Sequence, residues 1–294
     1  MIVVTTPTGM IGSQVLAKLL AAGEQIRVIA RDPSRLPADV SAKVEVVQGS
    51  HGDGRIVGEA FKGADAVFWL PPPNPTATSV EAVFTGFARP ACEAIRQQGV
   101  KHVVGISGIG RGTAIVDRAG YVTASLAMDE MIAATGTNFR ALAMPSFMDN
   151  MLRQAAAIRN EGVFFSPISG DRKLPTCATR DIADAAARLL LDRSWRGQGH
   201  VAVLGPEDLS FNDMAAIMTD VLEKPVRFQQ IPLDAYKVRL IEFGMSEAMA
   251  QGMIDMMRAK DNGLDNGELR TAENTTPTSF RQWCTDVLKP AVLG

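Results

Sequence analysis

The sequence is poor in the residues that build disulfide frameworks and metal sites. Its three cysteines, Cys92, Cys177 and Cys284, are an odd number, lie far apart and lack CxxC spacing. Neither a disulfide scaffold nor a zinc site is expected from them, and they suit a reducing, cytoplasmic setting. The three histidines, His51, His102 and His200, are equally scattered, so no metal is expected. No uninterrupted apolar run is long enough to cross a bilayer. Met1 to Thr5 reads as a strand with no basic region ahead of it, unlike a signal peptide. The formal net charge of -2 offers no general attraction to phosphate polymers or acidic lipid. Neither nucleic acid nor membrane is therefore expected as a partner.

What remains is the composition of an ordinary globular protein, 46% hydrophobic and 21% charged over 294 residues. That length allows one large α/β domain or one domain with a lobe. In the first half, Ile2–Thr5, Ile26–Ala30, Val44–Val47, Ala66–Leu70 and Val103–Ile106 are continuous apolar runs rich in Val and Ile. Runs of this kind suit strands buried on both faces of a parallel sheet. Between them, Ile11, Val15, Leu16, Leu19 and Leu20 place one apolar stripe on a helix. Gly23 and Gly99 stand where helices should stop. A further helix over Thr123–Ala134 and a strand over Phe139–Ala143 continue the alternation, which implies right-handed crossovers and a doubly wound sheet.

After Pro145 the rhythm changes. Short strands at Val163–Phe165, Val201–Leu204 and Val226–Gln230 mix with helices around Asp181–Leu191, Phe211–Leu222 and Ala235–Phe243. The expected fold class is α/β, a doubly wound parallel sheet (Rossmann fold) over residues 1–150, with a smaller α+β C-terminal lobe over residues 151–294. Pro71-Pro72-Pro73-Asn74-Pro75 reads as a rigid loop after a strand. Met245, Met249, Met253, Met256 and Met257 recur at helical spacing. They read as a packing face, or alternatively as the lining of a pocket for a flat apolar ligand.

The strongest chemical signal is Thr6-Pro7-Thr8-Gly9-Met10-Ile11-Gly12, between the first strand and the first helix. A dinucleotide fold needs this turn free of side chains where the backbone meets a pyrophosphate. The helix N-terminus then offers unpaired N–H groups and a positive dipole end. Gly9 and Gly12 meet those demands, while Thr6 occupies the place of the usual first glycine. A second signal is Arg31, directly after the second strand, in Ile29-Ala30-Arg31-Asp32-Pro33-Ser34-Arg35. An acid ending this strand would hold the ribose hydroxyls of NAD, whereas an arginine accommodates the 2′-phosphate of NADP. Arg31 can fork onto phosphate oxygens, with Ser34 and Arg35 completing the cradle. NADP(H) is the expected cofactor; Asp32, one position late, keeps NAD(H) as the alternative.

Thr8-Gly9-Met10-Ile11-Gly12, Val100-Lys101-His102-Val103-Val104-Gly105-Ile106-Ser107, Pro145-Ser146-Phe147-Met148-Asp149-Asn150 and Ala178-Thr179-Arg180-Asp181-Ile182-Ala183-Asp184-Ala185-Ala186 resemble the NmrA-like family of atypical short-chain dehydrogenases. The resemblance covers most of the chain and is densest over residues 1–190. It implies that the backbone from Thr8 to Ile11 holds the pyrophosphate. It also implies that Leu70, Pro71 and Pro72 run along the adenine-side ribose and diphosphate, and that Ser107, Pro145 and Phe147 border the nicotinamide. The family includes NADP-dependent quinone and azo reductases, reductases of plant phenolics, and redox sensors without catalytic activity that bind transcription factors.

The sequence departs from short-chain dehydrogenases at the catalytic pair. Those enzymes use Tyr-x-x-x-Lys, the lysine lowering the tyrosine pKa. Here Tyr121 is followed four residues later by Ser125, and no lysine lies between Lys101 and Lys173. Tyr121 and Ser107 are the candidate catalytic side chains, with a purely packing role for Tyr121 equally compatible. Hydride transfer to a quinone asks less, because solvent can protonate the product and the protein only orients and excludes water. Asp129-Glu130 and Asp181-Asp184 are read as solvent-facing or capping residues. Ser107 lacks the glycine pattern of a nucleophile elbow. The reading is an NADP(H)-dependent reductase of a quinone-like or polycyclic aromatic substrate. Its alternatives are a nucleotide sensor that reports to a protein partner, or an accessory enzyme reducing an aromatic intermediate before oxygenation.

Overall fold

A computed structural model describes all of residues 1–294. The first half runs β1 (Ile2–Val4), α1 (Met10–Ala21), β2 (Ile26–Ala30), α2 (Ala38–Ser41), β3 (Glu45–Gln48), α3 (Gly54–Ala60), β4 (Ala66–Trp69), α4 (Phe87–Gln98), β5 (His102–Gly108), α5 (Tyr121–Ala133) and β6 (Asn138–Met144). The second half runs β7 (Ser146–Phe147), α6 (Ala155–Glu161), β8 (Val163–Ser166), β9 (Leu174–Cys177), α7 (Thr179–Leu191), β10 (Gln198–Ala202), β11 (Asp208–Leu209), α8 (Phe211–Leu222), β12 (Arg227–Gln230), α9 (Leu233–Glu242), α10 (Glu247–Asp261), α11 (Phe280–Trp283) and α12 (Lys289–Leu293).

Seven strands form one parallel sheet in the order β10-β6-β5-β4-β1-β2-β3. Strand order therefore reverses between β1 and β4, the switch point at which such sheets bind ligands beyond their carboxyl ends. Because side chains alternate across a strand, each strand feeds two cores. Ile2, Val4, Val28, Phe68, Val104, Ile106 and Leu142 pack beneath α1 and α7. Val3, Ile29, Val67, Trp69, Val103 and Phe139 pack beneath α3, α4 and α5. This two-sided burial is why the strands read as unbroken apolar runs.

The sequence reading placed a strand at Val201–Leu204 in the lobe. In the structure this strand starts at Gln198 and is the seventh strand of the main sheet, paired with β6. Its first residues, Gln198, Gly199 and His200, are exposed on the sheet's edge, so no apolar run marks them. α7 also returns to the sheet, with Lys18 of α1 on Asp184 at 2.5 Å. The rest of the second half closes around its own core of Phe164, Met214, Met218, Phe280 and Trp283. There β12 pairs with β8, and β9 lies between β7 and β11. β7, β9 and β11 escaped the sequence reading because two are two residues long and the third holds Pro175 and Thr176.

Ahead of α4, Ala82–Gly86 winds as a π-turn, and Pro90 lies inside the helix. Proline has no N–H for the carbonyl one turn back, and wider turns absorb that mismatch. The same segment directs Val83 and Phe84 toward Tyr121 and Met249.

Candidate active site at the carboxyl edge of the sheet

The switch point is pinned by Thr5. Its hydroxyl donates to the Phe68 carbonyl at 2.9 Å and accepts from the Leu70 N–H at 2.9 Å. The chain then turns through Thr6, which takes a left-handed conformation (φ 50°) rare for a residue bearing a Cβ. The Gly9 N–H closes the turn on the Thr6 carbonyl at 2.9 Å. Gly9 itself has φ -83° and ψ 164°, extended values open to any residue. Gly12 carries the stricter demand: a Cβ there would stand 2.1 Å from the Thr6 carbonyl oxygen.

No side chain caps α1, so the N–H groups of its first turn stay free. The Thr6 hydroxyl is buried without a partner. Free donors at an uncapped N-terminus, with an orphan hydroxyl beside them, fit an anionic group such as a pyrophosphate. Thr8 and Met10 are exposed at this turn, while Ile11 and Gly12 are buried.

Arg31 is exposed at the end of β2, and so is Arg35. Asp32 is committed locally. It accepts the Ser34 N–H at 3.1 Å and the Ser34 hydroxyl at 2.6 Å, and caps the turn Pro33–Arg35. These Ser34 bonds hold its carboxyl below the usual range. The Ser34 hydroxyl is thereby engaged on Asp32 rather than free.

His51, dismissed in the sequence as a scattered histidine, is buried at the same edge. Its Nε2–H donates to the Leu70 carbonyl at 3.0 Å. The ring stands edge-on to Trp69 (5.3 Å between centroids) and Phe87 (4.8 Å). Burial pulls its pKa down to about 4, assisted by the nearby charge of Arg31. A neutral imidazole thus fixes the carbonyl from which Pro71 and Pro72 depart. Its position directly after β3, in Gly49-Ser50-His51-Gly52, was the available signal.

Ser107 is the next-to-last residue of β5, where its hydroxyl donates to Asp129 Oδ2 at 2.5 Å. Arg111 donates to the same oxygen. The reading of Asp129 as a solvent-facing residue is thus corrected: it is 2% exposed. Burial pushes its carboxyl up to about 7, against the opposing pull of Ser107 and Arg111. The spacing Val122, Ser125, Asp129, Ile132 on the inner face of α5 could have shown this. Asp181 is likewise buried, accepting the Thr278 N–H at 3.1 Å and hydroxyl at 2.8 Å. Asp184 does face solvent.

Tyr121 opens α5 and its hydroxyl donates to the Met249 carbonyl at 3.0 Å. Burial raises its pKa to about 12, and the nearby Tyr236 adds to the rise. Ser125, at the place of the usual lysine, donates to the Val122 carbonyl at 2.9 Å. Around Tyr121 lie Ala77, Val80, Val83, Phe84, Met245 and Met249. Pro145 is buried between β6 and β7, and Phe147 is half-buried on β7.

Two surface hollows lie elsewhere. One, of about 540 Å³, is lined by Ser169, Asp171, Arg172, Lys173, Gly263 and Asn266, with no apolar wall for a ring. The other, of about 570 Å³, opens beside Met1, Asp65, Lys101 and His102, at the amino ends of β1, β4 and β5.

A profile of the NmrA-like family matches residues 1–283. The chain belongs to this family. It is 30% identical over 277 residues to an NAD(P)H azoreductase of Xenophilus azovorans, covering 94% of this chain and 93% of that one. It is 29% identical over 287 residues to a (4-alkanoyl-5-oxo-2,5-dihydrofuran-3-yl)methyl phosphate reductase of Streptomyces griseus, covering 96% of both. Among solved structures, an NADPH-dependent quinone oxidoreductase from Escherichia coli, complexed with NADPH, superposes with a TM-score of 0.80. The identity is 22%, with 99% of this chain and 98% of that chain covered.

Proposed function

We propose that this NmrA-like protein is an NADP(H)-dependent oxidoreductase that passes hydride to a quinone-like or polycyclic aromatic substrate. One observation carries the reading. The carboxyl edge of the sheet holds, besides the uncapped turn that suits a pyrophosphate, an apolar cluster around Tyr121 in which no acid stands ready to protonate a carbonyl. Tyr121 spends its hydrogen on the Met249 carbonyl, and Ser125 stands where a lysine would lower its pKa. A site of this kind suits an acceptor that needs no proton in the hydride step.

The bound dinucleotide supplies the hydride. The first turn of α1 would hold its phosphates, Arg31 its 2′-phosphate, and Leu70, Pro71 and Pro72 the neighbouring sugar. Ser107, Pro145 and Phe147 would border the reacting ring, and Met245, Met249 and Phe84 would exclude water from an aromatic acceptor. The product takes its proton from solvent. The relatives named for azo-compound, quinone and furan-phosphate reduction support this reading.

The test is to mix the purified protein with NADPH and menadione and to follow the cofactor's absorbance. Turnover is expected, faster with NADPH than with NADH. Tight NADPH binding without turnover, on a panel of quinones and azo dyes, would instead make the protein a nucleotide sensor.

A further inference from the structure

Ser107, Asp129 and Arg111 form a polar trio on an otherwise apolar face. Val103 and Ser107, four residues apart on β5, share one side of the sheet, the side covered by α5. There the Ser107 hydroxyl donates to Asp129 Oδ2 at 2.5 Å, and Arg111 donates to the same oxygen. The other residues buried on that helix include Val122, Met128 and Ile132. An ion pair so enclosed seldom repays its desolvation, and apolar side chains of similar size often serve stability as well. Asp129 Oδ1 and Arg111 Nη1 are, moreover, buried without partners. Stability is a poor reason for the trio.

The strand register sets Ser107 over the crevice beyond the sheet. Trp69, the last residue of β4, pairs with Gly105. Ser107 therefore stands two residues past the end of that strand, where the chain has left the sheet as Leu70-Pro71. On its other side it pairs with Ala143 of β6, two residues before Pro145. Its hydrogen is committed to the carboxylate, and no N–H or O–H of the protein donates to its oxygen. What Ser107 offers a bound molecule is thus an acceptor. A quinone carbonyl is itself an acceptor and gains nothing there, whereas an amide N–H does. Of the two rings proposed to meet in this crevice, the nicotinamide carries such a donor in its carboxamide.

We propose that Asp129, held by Arg111, keeps Ser107 a hydrogen-bond acceptor, and that Ser107 binds the carboxamide N–H of the cofactor's nicotinamide. The inference rests on the NADP(H) reading for the ring's presence and adds the contact that orients it. Ser107 touches the cofactor; Asp129 and Arg111 are positioning residues. The charge on Asp129 matters. Burial lifts its carboxyl to about 7 against the pull of Ser107 and Arg111, and Glu130 adds to the rise. Above that pH the carboxylate takes the Ser107 hydrogen. Below it the protonated carboxyl no longer requires that hydrogen, and the hydroxyl is free to turn and donate.

Calorimetry with three ligands tests this. They are NADP+, its 3-acetylpyridine analogue, in which a methyl replaces the carboxamide NH2, and 2′,5′-ADP, which lacks the nicotinamide half. Well above neutral pH, wild type should bind NADP+ roughly three- to tenfold tighter than the analogue, the worth of one hydrogen bond. Ser107→Ala should erase that ratio and leave 2′,5′-ADP binding unchanged, which also shows the variant to be folded. In wild type the ratio should shrink as pH falls through about 7; both dinucleotides carry the same 2′-phosphate, so its own titration cancels. In Asp129→Asn the ratio should no longer depend on pH, because the amide oxygen still accepts from Ser107 and Arg111 but holds no titrating proton. A ratio absent from wild type, or unaltered in Ser107→Ala, overturns the inference while NADP+ binding leaves the cofactor reading standing. A pH dependence that survives in Asp129→Asn removes Asp129 from it. If none of the three ligands binds, the cofactor reading falls and this inference with it.

Discussion

Tyr121 donates its hydroxyl to the main-chain carbonyl of Met249 at 3.0 Å, joining the first turn of α5 to α10. With its pKa raised to about 12 by burial, it holds its proton throughout the physiological range. Tyr121→Phe should therefore keep most of the quinone-reduction rate, since general acid catalysis is typically worth ~100-fold or more. What it should lose is one hydrogen bond between the two helices, about 1 kcal/mol of stability. A hundredfold fall in kcat at unchanged melting temperature would show the tyrosine to be the proton donor.

The turn before α1 separates its two glycines. Gly12→Ala places a methyl 2.1 Å from the Thr6 carbonyl, a backbone atom that cannot step aside without opening the turn. NADPH binding should be lost and the melting temperature lowered, overpacking of this kind costing ~1–3 kcal/mol or more. At Gly9 the backbone is extended and the added Cβ would stand 3.3 Å from the same oxygen. Gly9→Ala should fold with a much smaller loss of stability than Gly12→Ala, the turn having to give only a few tenths of an ångström. A bulkier Gly9→Val, compared with Gly9→Ala as its stability control, tests the ligand, because the branched side chain would stand where the pyrophosphate is proposed to lie. Calorimetry and melting curves on the three variants check this order; a Gly12→Ala protein that binds NADPH normally would refute it.

How much of this was legible follows from what each residue answers to. The sheet was readable because strands buried on both faces cannot avoid apolar runs, as in Ile2–Val4 and Ala66–Trp69. β10 was misplaced because an edge strand is free to be polar, as Gln198 and His200 are. At the site, the glycine turn and Arg31 were visible as local patterns. His51 and Asp129 were not, because their partners Leu70 and Arg111 lie 19 and 18 residues away. Their burial comes from packing that no short window contains.

His51 makes the fold sensitive to acid. Its folded pKa of about 4 lies below the ordinary value of 6.5, so the unfolded chain takes up the proton first as pH falls. The contribution is fully present above pH ~6.5 and is lost as pH falls toward ~4, amounting to about 3 kcal/mol at most. His51→Gln keeps a donor for the Leu70 carbonyl and removes the titration. Its melting temperature should sit near or somewhat below that of wild type at pH 7.5 and overtake it near pH 4. Parallel stability curves for the two proteins across that window would show that His51 titrates freely in the native state.

Arg31 is the residue proposed to read the cofactor's 2′-phosphate. It stands exposed at the end of β2, and its neighbour Asp32 is tied to the Ser34 N–H and hydroxyl. The carboxylate that would make this an NAD-type ribose site is thus engaged within its own turn. NADP differs from NAD only by the 2′-phosphate, so a residue reading that group should affect one cofactor alone. Arg31→Ala should weaken NADPH roughly ten- to a hundredfold, as expected for removal of a charge-assisted contact, and leave NADH nearly unchanged. Arg31→Lys should recover only part, keeping the charge without the planar fork. Ser34→Ala adds a control on Asp32. Freed from its cap, the carboxylate would repel the 2′-phosphate and accept ribose hydroxyls, shifting preference toward NADH by a smaller factor. Titration of the four proteins with both cofactors separates these effects. A wild type that prefers NADH, or equal losses for both cofactors in Arg31→Ala, would mean that the arginine is a bystander and that Asp32 sets the choice.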